Sequence, residues 1–163
     1  MGIDPSYNIA FAKAQIAAGQ KLPPSGTVFL SLNDLTKPYL EKIAKAFVVN
    51  GFKIAATSGT AHVLNLAKIP AERVLKLHEG RPHAGDMIAN GDIQLMVVTS
   101  SDDDALDRIN GLALRRMALD YKVPIVTTIN GALTTAEAIN NLKANSIKMI
   151  ALQDFIDDEF KER

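Results

Sequence analysis

From residue 27 onward the chain alternates two hydrophobic patterns. Short continuous apolar runs, "TVFLSL" (27–32), "FKIAAT" (52–57), "RVLKL" (73–77), "IQLMVVT" (93–99) and "PIVTTI" (124–129), predict strands buried on both faces. Between them the apolar spacing turns helical. Over 37–51, Leu40, Ile43, Ala44, Phe47 and Val48 recur at i, i+3, i+4, i+7 and i+8, and Gly51 supplies the stop. Further helices are predicted over 60–68, 109–122 and 133–143, with a helical turn at 87–91. "IKMIAL" (147–152) reads as a last strand or edge segment before a charged tail. Ahead of this alternation, 6–20 predicts an Ala-rich amphipathic helix closing on Gly19. "KLPPSG" (21–26) reads as a linker, because consecutive prolines cannot continue a helix, and the compact domain is expected to begin after it.

Strands alternating with helices predict a parallel sheet wrapped by helices on both faces. In such folds ligands sit at the carboxyl ends of the strands, near a topological switch point. Those ends are polar throughout this chain. They carry Asn33, Asp34 and Lys37, then Thr57, Ser58, Gly59 and Thr60, then Lys76 and His78, then Thr99, Ser100 and Ser101, and finally Thr127, Thr128 and Asn130. Backbone N–H groups at a helix start, a glycine that permits close approach and donating hydroxyls suit a phosphate, and Lys37 and Lys76 would supply countercharge. "TSGT" (57–60) equally suits a tight turn with a helix cap, and from these residues alone both readings stand. Neither the dinucleotide fingerprint G-x-G-x-x-G nor the phosphate loop G-x-x-x-x-G-K-[S/T] occurs, so a phosphomonoester fits better than a pyrophosphate.

Composition narrows the chemistry further. Eighteen acidic and eighteen basic residues cancel, so no long-range pull toward nucleic acid or an anionic membrane is expected. No cysteine occurs, which excludes disulfides and thiolate chemistry and points to an intracellular compartment. No apolar run reaches the roughly 18–20 residues of a membrane span, no signal peptide is apparent, and the start does not suit myristoylation, so a soluble chain is expected. "LHEGRPHAGD" (77–86) holds two of the three histidines, but no ligand spacing on one element supports a metal. There His78 is expected to pack or hydrogen-bond in the loop, and Arg81 to reach a ligand or brace the loop through carboxylates. "SSDDDALD" (100–107) reads as a solvated acidic helix start. A nucleophile elbow G-x-S-x-G is absent, and no triad is apparent.

"SGTA", "HEGRPH", "LRRMALDYKVPIVTTINGA" and the opening "MGIDPSYNIAFAKAQIAAGQKLP" together resemble one family nearly end to end. It is the C-terminal allosteric domain of the carbamoyl-phosphate synthase large subunit, a methylglyoxal-synthase-like domain, in its plant and algal form. The resemblance implies a three-layer Rossmann-like α/β fold with a mainly parallel five-stranded sheet flanked by helices. It implies that 1–24 are the last helix and linker of a preceding synthetase domain and 25–163 the regulatory domain. It implies no active site, no cofactor and no metal in this domain, and an effector, UMP or IMP, in their place. Lys37, Thr57, Thr60 and Lys76, with Ser58 and Gly59 between the threonines, fall on the phosphate-binding positions. Thr99 and Ser100 fall on the hydroxyl pair of the nucleoside side, and Asn110, Ala113 and Leu114 on the stretch flanking the base. Val98 stands where the family often has Asn, and Asp102-Asp103-Asp104 replaces a small basic motif.

For ornithine, which acts where the domain meets the synthetase unit, Thr127 matches while Ile125 replaces an aromatic, so the chain alone is expected to bind it poorly. Implied partners are the synthetase domains of the same large subunit, the glutaminase small subunit and a second copy in a homo-oligomer. The implied location is the chloroplast stroma, and the parent's product serves pyrimidine and arginine synthesis. The rival within the fold is a methylglyoxal-synthase-type lyase, whose strand-one Asp and Lys are matched by Asp34 and Lys37. Its catalytic Asp aligns onto Arg81, and a guanidinium cannot abstract a proton at neutral pH. IMP cyclohydrolase differs in the same loop. The third class is an interaction or oligomerisation module with a vestigial pocket.

Overall fold

The computed structural model describes residues 1–99 and 105–144, together with 147, 149, 151–153 and 155. Five strands form one sheet: β1 (Gly26–Ser31), β2 (Phe52–Thr57), β3 (Glu72–Val74), β4 (Leu95–Val98) and β5 (Ile125–Val126). Their spatial order is β3-β2-β1-β4-β5, and all four neighbouring pairs are parallel. The chain therefore steps outward from β1 through β2 to β3, then crosses back to place β4 on the other side of β1. The crevice between the carboxyl ends of β1 and β4 is the switch point of the sheet.

Among the described residues the helices flanking the sheet are α1 (Tyr7–Ala17), α2 (Leu40–Val49), α3 (Ser58–Leu66), α4 (Ala84–Ala89), α5 (Ala105–Asp120) and α6 (Ile129–Ala144), with a 3-10 turn at Lys37–Tyr39 ahead of α2. Strand side chains alternate between two buried clusters, as the period of two requires. Val28, Leu30, Ile54, Leu95 and Val97 face one layer with Ile43, Phe47, Leu64 and Ile139 from α2, α3 and α6. Phe29, Ala55, Met96 and Val98 face the other with Ile88 and Leu114 from α4 and α5. Phe47 and Phe52 meet edge to face at 5.8 Å where α2 turns into β2. That turn closes through Gly51, whose φ of 80° lets its N–H return to Val48 O. Ala12 of α1 and Leu22 of the following segment belong to the first cluster, and α1 packs along α6.

The five strands predicted between residues 27 and 129 and the predicted helices are present, with shifts at their ends. Helices α5 and α6 begin four residues before the apolar periodicity does, at Ala105 and Ile129, so the strand expected over 124–129 shortens to two residues. Ala105 and Leu106 of α5 are exposed and α6 opens on Ile129-Asn130-Gly131, so neither first turn shows a helical apolar period. The third strand ends at Val74, and Leu75 pairs with His83 as an isolated parallel bridge. Helix α4 starts inside the stretch read as irregular. His83 caps it, its Nδ1 accepting from Asp86 N at 3.1 Å while Asp86 Oδ2 accepts from His83 N at 3.0 Å. No described residue of 147–152 is a strand residue, and Leu152 is helical. Residues 148 and 150 of that predicted strand lie outside the described set.

Candidate functional site

Strand β2 ends at Thr57 and α3 begins at Ser58 with no intervening loop, so the first-turn amides of α3 open directly at the carboxyl edge of the sheet. Thr57 occupies the cap position but makes no cap bond. Its hydroxyl instead donates to Thr60 Oγ1 at 3.2 Å, and Thr60 Oγ1 also takes the Leu32 N–H at 3.4 Å. Both threonines are buried. The first turn of α3 carries no acidic residue. Lys37 Nζ lies 3.5 Å from the point where a Cβ on Gly59 would stand, so a cation sits directly over that turn. Lys37 is also paired with Asp34. The hydrogen bond and charge of Lys37, with a smaller contribution from the charge of Lys76, hold the Asp34 carboxyl below its ordinary range.

Below this rim a narrow cleft, with about 10 Å³ of room for a water, runs between the sheet and α5. Thr57, Lys76, Thr99, Asn110 and Leu114 line it, five residues picked from sequence that four different elements or their ends bring together. Phe29, Ser31, Leu77, Ala84, Val98 and Gly111 line it too. These had no polar or charged signature beyond Ser31, and only the sheet order shows that β1 and β4 form its floor.

The remaining picks fall elsewhere. Lys37, Gly59 and Thr60 belong to the rim. Ser58 lies on its outer side, where its Oγ accepts from Arg73 Nε of β3 at 2.9 Å. Ala113 is half-buried on α5 but not on the cleft stripe of 110, 111 and 114. Thr127 is exposed beyond β5, away from the cleft lining. Ser100 and the acidic run Asp102–Asp104 lie outside the described residues.

Thr99 ties the two central strands together. Its N–H reaches Ser31 O at 3.0 Å, its Oγ1 accepts from Asn33 N at 3.1 Å, and that oxygen is 2.7 Å from Thr36 Oγ1. The Thr36 hydroxyl donates to Asn33 Oδ1 at 2.7 Å, which leaves Thr99 as the donor between the two hydroxyls. The Thr99 side chain is committed to bridging the switch point. On the other wall Asn110 Nδ2 stands 2.8 Å from His78 Nδ1 and 2.8 Å from Leu106 O. His78, expected to settle within its own loop, bonds across to α5 instead. Arg81 braces the loop through Asp86 at 3.5 Å. No group of three or more His, Cys, Asp or Glu able to hold a metal is found among the described residues, and no helix there is long and apolar enough to cross a membrane.

An all-parallel α/β sheet with a cleft at its switch point and a helix start at the same edge defines a Rossmann-like domain. The chain belongs to the MGS-like domain family, whose pattern matches residues 39–127. Over 157 residues it is 68% identical to the carbamoyl phosphate synthase arginine-specific large chain, chloroplastic, of Arabidopsis thaliana, covering 96% of this chain and 13% of that one. The carbamoyl phosphate synthase large chain of Synechocystis is 45% identical over 157 residues, with 96% and 14% covered. The "large chain, C-terminal section" of Aquifex aeolicus is 41% identical over 143 residues, with 88% and 26% covered. The chain thus spans about one eighth of the plant and cyanobacterial large chains it matches.

Proposed function

We propose that the chain is the allosteric regulatory domain of a plant-type carbamoyl phosphate synthase large chain, taking a nucleoside monophosphate, UMP or IMP, at the carboxyl edge of the sheet. One observation carries the reading: Lys37 over the open first turn of α3, with Thr57, Lys76 and Asn110 in the cleft beside it. The phosphate would take the α3 amides, the Thr57–Thr60 hydroxyls and both lysines, and the nucleoside would extend along α5 past Asn110 and Leu114. Cofactor and metal play no part in this reading. A lyase of the same fold would need a carboxylate where Arg81 stands, and Arg81 is exposed and turned to Asp86.

An effector changes distant catalysis only by its differential affinity for two states of the whole enzyme. In the proposed parent, a glutamine-dependent ligase of the chloroplast stroma with synthetase domains on the same chain and a glutaminase partner, residues 1–24 would carry that bias. The packing of α1 on α6, with Ala12 in the shared core, supports a stiff rather than a slack connection.

Thermal unfolding with UMP, IMP and ornithine tests the reading, with Lys76→Ala as control. Ligand at 100 times Kd adds about 2.7 kcal/mol, roughly 5–10 °C for a domain of this size. A nucleotide shift lost in Lys76→Ala is the expected result. No shift with any nucleoside monophosphate sinks it.

Self-association is a second reading with its own observation. Leu106, Ile109, Leu112 and Leu119 of α5 are each more than half exposed and recur at helical spacing. Sedimentation of the chain and of Leu112→Lys decides this reading, since a monomer at all concentrations removes it.

A further inference from the structure

Lys37 reaches the first turn of α3 from a short stretch, residues 33–37, between the end of β1 and the start of α2. That stretch is closed on itself. Asn33 O takes the Thr36 and Lys37 N–H groups at 3.1 and 3.0 Å, Asn33 Oδ1 takes the Thr36 N–H at 3.0 Å, and the Lys37 ammonium pairs with Asp34. These bonds all move with the stretch, so none of them places it against the sheet. Along the chain it is anchored only at Ser31 in β1 and at the buried Leu40 in α2. Across the sheet it is held by one side chain. Thr99 Oγ1 accepts from Asn33 N at 3.1 Å and donates to Thr36 Oγ1 at 2.7 Å. Among the described residues, Thr99 is the one group beyond this stretch and the helix after it that hydrogen-bonds to it. Thr99 is buried, and its own N–H is fixed to Ser31 O of β1.

We propose that the Thr36–Thr99 hydroxyl pair clips this stretch to the end of β4 and so sets where the Lys37 ammonium stands over α3, which makes Thr36 a positioning residue for the phosphate of a bound nucleotide. The inference rests on the nucleotide reading above and gives Thr99, expected on the nucleoside side, an indirect part at the phosphate end. Charge-assisted hydrogen bonds to phosphate are short and strong, and they weaken as the donor strays from its place. Asp34 cannot stand in for the clip, because its side chain is 92% exposed and rides on the same stretch as Lys37. Thr36 does not itself line the cleft, so its effect on a ligand runs through the groups it holds.

Affinities of UMP and IMP are measured by calorimetry on the wild-type chain, Thr36→Val, Thr36→Ser, Lys37→Gln and the double variant Thr36→Val with Lys37→Gln. Thr36→Val keeps the shape and removes the hydroxyl that Thr99 meets, and it should weaken binding by about fivefold or more. Thr36→Ser keeps that hydroxyl and should stay within about twofold of the wild type. In the Lys37→Gln background the same valine should cost less than about twofold, because residues that act as one unit are not additive. A role in folding alone would weaken binding equally in both backgrounds. Unfolding temperatures without ligand accompany each variant. Should Thr36→Val fail to fold, Thr36→Ala takes its place, since the gap it leaves admits a water to Thr99. Unchanged or tighter binding in the Thr36 variant, no recovery in Thr36→Ser, or an equal loss with and without Lys37 overturns the clip and leaves the nucleotide reading standing. Absence of binding by either nucleotide to the wild type overturns that reading and this inference with it.

Discussion

Lys37 Nζ stands 3.5 Å from the point where a side chain on Gly59 would begin, and among the described residues outside the α3 backbone and Gly59's two neighbours no other atom lies within 4 Å of that point. The backbone at Gly59 is ordinary helix, so its lack of a side chain serves access and not conformation. Gly59→Ala should leave the unfolding temperature unchanged or raise it slightly, since Ala exceeds Gly in helix propensity by at most about 1 kcal/mol. The added methyl group stands between Lys37 and the α3 amides, so the stabilisation by UMP should shrink by at least half. Paired thermal scans with and without UMP check both outcomes.

Asp34 neutralises Lys37 before any ligand arrives. Asp34→Asn should therefore raise phosphate affinity, by roughly twofold to fivefold at low ionic strength and by little at 1 M salt, where charges are screened within about 3 Å. Its stability effect has a definite sign. The folded carboxyl titrates below its ordinary value of 3.8, so its contribution is present above that pH and is lost as pH falls through the lower folded value. Titration of UMP binding at two salt concentrations, and of the Asp34 carboxyl by NMR, tests the pair.

Thr60 has two duties that a valine separates. Its oxygen accepts from Leu32 N and from the Thr57 hydroxyl in a buried setting. Thr60→Val keeps the shape and strands both donors, at a cost of about 1–3 kcal/mol. Denaturant midpoints should fall with an unchanged slope, and nucleotide affinity should fall with them, because Thr57 loses the partner that holds it. An affinity equal to wild type would remove the Thr57–Thr60 pair from the cradle.

At the front of the chain, Lys13 Nζ pairs with Asp4 at 2.8 Å and reaches Ile3 O at 3.1 Å, while Asp4 also accepts from Ser6 N at 3.0 Å. The Lys13 hydrogen bond is the main cause of the lowered Asp4 pKa. Asp4→Ala should destabilise the packing of α1 by about 1 kcal/mol. In the wild type that contribution is present above the ordinary value of 3.8 and fades as pH drops through the depressed one. Amide exchange in α1, followed between pH 3 and 6, should show α1 opening before the sheet core.

Local pattern made much of this legible. Apolar runs and helical spacing follow from backbone geometry of period two and 3.6, which each segment carries by itself. The polar strand ends could therefore be picked residue by residue, and Thr57, Lys76 and Thr99 do line one cleft, together with Asn110 and Leu114, which only the family resemblance singled out. Lengths failed where a segment's own periodicity was silent. The first turns of α5 and α6 were missed, as was the start of α4, which rests on the His83–Asp86 cap.

What the chain determined alone was the alternation of strands and helices, the polarity of every strand end and, through whole motifs, the family. What only the tertiary structure decided was which of those ends become neighbours. β4 crosses back to lie against β1, and that one placement commits the Thr99 hydroxyl to Asn33 and Thr36. The packing of α5 over the same end joins Asn110 to His78, thirty-two residues away in sequence. Hydroxyl and amide groups look alike along a sequence because each both donates and accepts. Which polarity remains for a ligand depends on partners supplied by other elements, and those are set by sheet order and helix packing, not by local spacing.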